Sequence, residues 1–89
     1  LKKKLLEFSR LTENGNARQA GIKQGDLLLE ANGTPVTSVS AFQAILRNPE
    51  KKETMLLIER GGTRHSIRLP KGPPGIARMK QSFSAPAFD

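Results

Sequence analysis

Residues 20–36, Ala-Gly-Ile-Lys-Gln-Gly-Asp-Leu-Leu-Leu-Glu-Ala-Asn-Gly-Thr-Pro-Val, constrain this chain more than any other stretch. Gly21 follows a short helix-compatible segment, Asn16 to Ala20. A glycine just past a helix end takes the left-handed conformation that closes the last turn. Ile22 then folds back as an apolar anchor. Gly25-Asp26 makes a second tight bend, in which the aspartate bonds nearby backbone amides. Leu27, Leu28, Leu29 and Ala31 supply a short apolar strand, and Asn32-Gly33 is a strong turn dipeptide. The stretch therefore reads as helix end, loop, buried strand and turn.

The flanking segments extend this pattern. Leu6, Phe8 and Leu11 alternate imperfectly, as in a strand that shifts face near its end, and residues 12–16 carry turn chemistry. Ser38 is a good N-cap for a helix expected over residues 39–47. Val39, Phe42, Ile45 and Leu46 there fall at helical spacing, and Asn48-Pro49 ends the run. A charged loop at residues 49–53 leads to a strand at 54–59, whose Met55-Leu56-Leu57-Ile58 reads as apolar on both faces. Gly61-Gly62 makes a hairpin connection to residues 63–69. In that strand His65, Ile67 and Leu69 share one face, with Arg64, Ser66 and Arg68 on the other. From Pro70 onward proline, glycine and small residues dominate, with a brief alternation at Ile76-Ala77-Arg78-Met79.

The order Ala-Gly-Ile-x-x-Gly-Asp-Leu-Leu-Leu-x-x-Asn-Gly-x-Pro-Val resembles the signature of PDZ domains, especially those attached to bacterial envelope proteases. The resemblance covers roughly residues 5–69. It implies an α+β fold: a small, partly open antiparallel β-barrel or sandwich with one long and one short helix. It divides the chain into a basic flank at 1–4, a core at 5–69 and a Pro/Gly-rich tail at 70–89, which is either a linker or the source of a final strand at 75–79.

The resemblance also implies a function. A PDZ domain binds an extended peptide by adding it as a strand between a sheet edge and the long helix. The peptide's terminal carboxylate sits on backbone amides of a Gly-hydrophobic-Gly-hydrophobic loop, a motif this chain lacks. Forcing that loop onto residues 4–8 would put Glu7 where a carboxylate must bind. Only 12 residues separate Phe8 from Gly21, too few for two strands. Residues 6–11 match the strand that follows the peptide-pairing one. In trypsin-like envelope proteases the missing strand comes earlier in the chain. In site-2 intramembrane metalloproteases a permuted arrangement brings it after the final hairpin, where Gly75, Ile76, Ala77, Arg78 and Met79 supply the loop and the pairing strand. On the helix, Val39, Gln43 and Leu46 face the groove, and Phe42 and Ile45 turn to the core. An apolar Val39 suggests a preference for hydrophobic ligand side chains.

Composition narrows the other classes. The net charge of +7 would attract nucleic acid, anionic lipid or acidic peptide, but the cations are scattered and no Tyr or Trp interleaves with them for base stacking. Nucleic-acid binding and direct membrane insertion are not expected. Without cysteine there is no disulfide framework and no thiolate metal site. His65 is the lone histidine, Asp26 belongs to its turn, and no nucleophile elbow, phosphate loop or metal-ligand spacing occurs. Catalysis and cofactors are therefore not expected. The chain opens on Leu1 and reads as a domain of a longer protein.

The expected partner is an extended or C-terminal peptide of another protein, or other domains of the parent. The expected setting is an envelope protease of the periplasm or cell envelope, which the domain supplies with substrate or restrains. A scaffolding PDZ of a secretion or organelle-assembly protein, with a closed or incomplete groove, is the alternative.

Overall fold

The computed structural model describes residues 3–48 and 52–84. Six strands and two helices follow in the order β1 (Lys3–Leu11), α1 (Asn16–Ala20), β2 (Leu27–Ala31), β3 (Thr34–Pro35), α2 (Val39–Leu46), β4 (Glu53–Arg60), β5 (Thr63–Pro70) and β6 (Ile76–Ser84). All pairings are antiparallel. The sheet runs β5-β4-β2-β1-β6, with β3 paired to β2 off this path. The result is the α+β arrangement of one short and one longer helix on a small antiparallel sheet.

Residues 16–22 act as expected. Gly21 adopts a φ of 108°, its N–H donates to the Arg18 carbonyl, and the Ile22 N–H donates to the Ala17 carbonyl. These two bonds satisfy carbonyls that the end of α1 would leave orphaned. They also deliver Ile22 into the core, where it is fully buried with Leu6, Phe8, Leu28, Leu56 and Ile58. Five residues cannot hold a helix alone; α1 persists because Ala17 and Ile22 are packed.

Ser38 caps α2, its hydroxyl accepting from the Ala41 N–H at 3.2 Å. The helix seats Phe42 edge-on against Phe8, ring centroids 6.2 Å apart. That aromatic contact fixes the long helix over β1. Arg47, expected as the last helical residue, is the C-cap.

Two expectations about strand faces change. In β4 Thr54, Leu56 and Ile58 are buried while Met55 is exposed, because one face of the sheet is open to solvent and only alternate residues reach the core. In β5 Ile67 and Leu69 are buried but His65 is exposed, near the hairpin tip where the core has ended. β1 shifts register twice, between Phe8 and Arg10 and between Arg10 and Leu11. This is the face shift read from its broken alternation. The strand at the end of the chain is longer than the expected 75–79, spanning Ile76–Ser84 along the whole of β1. The expected loop at 49–53 lies largely outside the described residues, as do residues 85–89.

A PDZ-type groove between the second helix and the last strand

Asp26 and Arg60 lock the base of the fold. Asp26 is 2% exposed. Its carboxylate accepts from Arg60 Nε at 2.8 Å, Arg60 Nη2 at 2.6 Å and the Lys23 N–H at 2.8 Å. Arg60 Nη2 also donates to the Gly21 carbonyl at 2.9 Å. Burial alone would raise the Asp26 pKa. The Arg60 guanidinium and the Lys23 amide outweigh it, and the carboxyl titrates below its ordinary 3.8. The role expected for Asp26, bonding turn amides, is present. Arg60 had looked like one more scattered cation, and only the fold reveals it as the partner.

The Pro-Gly loop at residues 71–75 is built into the structure. The Pro73, Pro74 and Gly75 carbonyls accept from Asn16 Nδ2 at 3.0 Å, the Ala17 N–H at 2.7 Å and the Thr12 N–H at 2.8 Å. Gly75, with φ of 74°, lies against Gly15 so closely that a Cβ on it would sit 2.7 Å from the Gly15 Cα. Every peptide bond here is trans, so each N–H points opposite to the carbonyl of its own unit. With the Pro74 and Gly75 carbonyls turned toward α1 and β1, the N–H groups of Gly75 and Ile76 point away from them.

Along β6 the same logic identifies which groups are unused. The Phe8 N–H donates to the Asp26 carbonyl and its carbonyl accepts from the Gly25 N–H, so Phe8 spends both groups on the β2 side. Its cross-strand partner Met79 therefore exchanges no backbone bonds with it. The N–H and C=O of Met79 face the outer edge, and those of Gln81, two residues on, do likewise. Ile76 also faces outward, since Thr12 bonds Gly75 beside it. Among the described residues, no strand pairs with this edge.

Helix α2 forms the opposite bank. Val39, Gln43 and Leu46 lie at i, i+4 and i+7 on one helix face. Together with Phe42, Pro74, Ile76, Ala77, Arg78 and Met79, they line a groove of about 170 Å³. Gln81 Nε2 donates to the Thr37 carbonyl at 3.1 Å and ties the far end of β6 to the start of α2. Val39 consequently lies toward Gln81, and Leu46 toward the Pro-Gly loop. Seven of the eight residues singled out from the sequence thus line one groove. Gly75 instead shapes its end, while Phe42 and Pro74 are lining residues that the sequence reading did not include. The volume is below the ~300–1,000 Å³ of small-molecule pockets, and suits a side chain or two of an extended segment. Among the described residues, no group of three His, Cys, Asp or Glu comes together to hold a metal.

No curated protein matches the chain. The PDZ domain family matches it over residues 7–60, more than half its length. That match covers α2 but ends before β6, so the second bank of the groove rests on the structure alone. PDZ domains bind peptide segments of other proteins and are generally non-catalytic. With the short helix ended by Gly21, the long helix above the sheet and the family match in agreement, this chain belongs to the PDZ domain family, a family of peptide- and protein-binding modules.

Proposed function

We propose that this domain captures the C-terminal segment of a partner protein as an added strand along β6, with apolar ligand side chains dropping toward α2. The unpaired edge at Ile76, Met79 and Gln81, facing the apolar stripe of α2, carries this reading. Strand addition supplies main-chain hydrogen bonds for affinity, and pockets for alternate side chains supply specificity. The ligand runs antiparallel to β6, its last residue at the Pro-Gly loop. There the Gly75 and Ile76 N–H groups, turned away from α1 and β1, are the donors offered to its carboxylate. Lacking the usual Gly-hydrophobic-Gly-hydrophobic loop, this chain uses Pro-Pro-Gly-Ile, in which only the last two residues have an N–H to offer. The ligand's final side chain then lies near Leu46, and the side chain two residues earlier near Val39.

The parent, in this reading, is an envelope protease of the site-2 type in the periplasm or cell envelope, whose substrate supply or restraint depends on the captured segment. The order of strands supports it: the pairing strand comes after the final hairpin, as the resemblance to that type implied.

Selection from a displayed library of random C-terminal peptides tests the binding reading. Apolar residues should be enriched at the last position and two before it. Amidating the terminal carboxylate of a selected peptide should weaken binding about tenfold or more, as expected for loss of charge-assisted hydrogen bonds worth ~1.5–3 kcal/mol. Equal binding of the amidated peptide, or no enrichment, would refute it.

A further inference from the structure

β6 brings like charges together on the face of the sheet turned away from the core. Arg10 and Arg78 are direct cross-strand partners, and Lys80 lies beside them. With Ser9 and Gln24 they line a second, wide depression. Like charges placed directly opposite across strands repel, so an anion beside them would relieve that repulsion. Among the described residues, the ion pairs join Arg60 to Asp26, Arg68 to Glu53 and Lys80 to Glu7, and none reaches Arg10 or Arg78. The Lys80–Glu7 pair is loose, at 3.8 Å, with Lys80 largely in solvent. Arg78 also lines the groove, so the basic depression and the groove share the edge strand β6.

An added strand would join the two sites. Successive side chains of a strand point to opposite faces of the sheet. A ligand whose last residue faces α2 turns its penultimate residue, and the one two before that, to the outer face. Those positions pass the cluster of Arg10, Arg78 and Lys80.

We propose that this outer cluster selects acidic side chains at alternate ligand positions, so that the preferred segment alternates apolar and acidic residues and ends on an apolar one. The proposal rests on the strand-addition reading above and adds the chemical class of the ligand. Arg10 and Lys80 are the specificity-determining residues furthest from the groove, so they can be changed without touching its lining.

The test is C-terminal peptide display on the wild type and on Arg10→Gln/Lys80→Gln, followed by titration of the best wild-type peptide and its Glu→Gln counterpart. The wild type should enrich Asp or Glu at the penultimate position. It should prefer the Glu peptide by about 1.5-fold to fivefold at low salt, the range for exposed ion pairs. Raising salt should shrink this preference. In the double variant the acidic enrichment should vanish while the apolar last residue is still selected. Apolar enrichment without acidic enrichment would overturn this proposal alone. No enrichment of any kind would overturn the strand-addition reading and this proposal with it. If instead the wild type binds phosphatidylserine vesicles, loses them in the double variant and ignores peptide acidity, the cluster faces a membrane and the proposal is wrong.

Discussion

Gly15 and Gly75 meet backbone against backbone, so closely that a Cβ built on Gly15 would fall 2.8 Å from the Gly75 Cα. This contact docks the Pro-Gly loop on the start of α1 and orients the Gly75 and Ile76 amides. Gly15→Ala keeps an ordinary φ and introduces only the clash, whereas Gly75→Ala adds a strained positive φ. We expect Gly15→Ala to destabilise by about 1–3 kcal/mol, typical of overpacking, and to weaken peptide binding. Hydrogen exchange should accelerate at Thr12 and Ala17, whose amides bond the loop carbonyls. Unchanged exchange at both residues would mean that the loop is held by something else.

The Asp26–Arg60 pair sets a pH dependence. Because the folded-state pKa of Asp26 lies below the unfolded value, its contribution is complete above that unfolded value and is lost as pH falls through the folded one. Arg60→Met leaves the buried carboxylate with its Lys23 amide alone. The Asp26 pKa should then rise, and acid unfolding should begin at higher pH than in the wild type. Far-UV circular dichroism reads this directly, since the chain has no Tyr or Trp. Asp26→Asn should cost about 1.5–3 kcal/mol, the range for hydrogen bonds to a charged group. Its stability should also vary less between pH 2 and pH 5.

Leu46 is half-buried at the loop end of the groove. Leu46→Arg should abolish peptide binding, because a guanidinium would occupy the site for the last ligand side chain. The fold should remain, since the long stem can extend into solvent. Two-dimensional NMR of the variant separates loss of binding from loss of structure. Neutralising Lys2, Lys3 and Lys4 should leave peptide affinity unchanged. The opposite pattern would identify a charge-driven surface binder.

Phe8 and Phe42 join the sheet to α2 in a single edge-on contact. Phe42→Leu should lower the melting temperature by about 4–8 °C per kcal/mol lost. It should weaken peptide binding more than an equally destabilising change in β4, because Phe42 also lines the groove.

Much of this was legible in the sequence where the signal is local. The end of α1 at Gly21, the inward fold of Ile22 and the cap at Ser38 follow from residues within one or two turns of each other. Helical spacing marks an apolar face of α2 at Val39, Phe42, Ile45 and Leu46, and only the resemblance to PDZ domains picks out Val39, Gln43 and Leu46 as the face toward the groove. Relations across the chain were not legible. Nothing near Arg60 marks it as the partner of Asp26, and nothing near Gly15 marks it as the seat of Gly75, because both pairings depend on tertiary placement. The four apolar residues Met55 to Ile58 suggested burial on both faces, but composition does not report that one face of the sheet is uncovered. Arg10 and Arg78 looked like scattered charge until the register placed them opposite each other.

Residue-resolved hydrogen exchange along β6, with and without a selected C-terminal peptide, tests the central claim most directly. In the free domain the Lys80 amide, which faces β1, should be protected while those of Met79 and Gln81 exchange fast. Saturating peptide should slow Met79 and Gln81 and leave Lys80 as it was. If the peptide binds and both amides still exchange freely, no strand is added at this edge, and the groove between α2 and β6 is not the binding site.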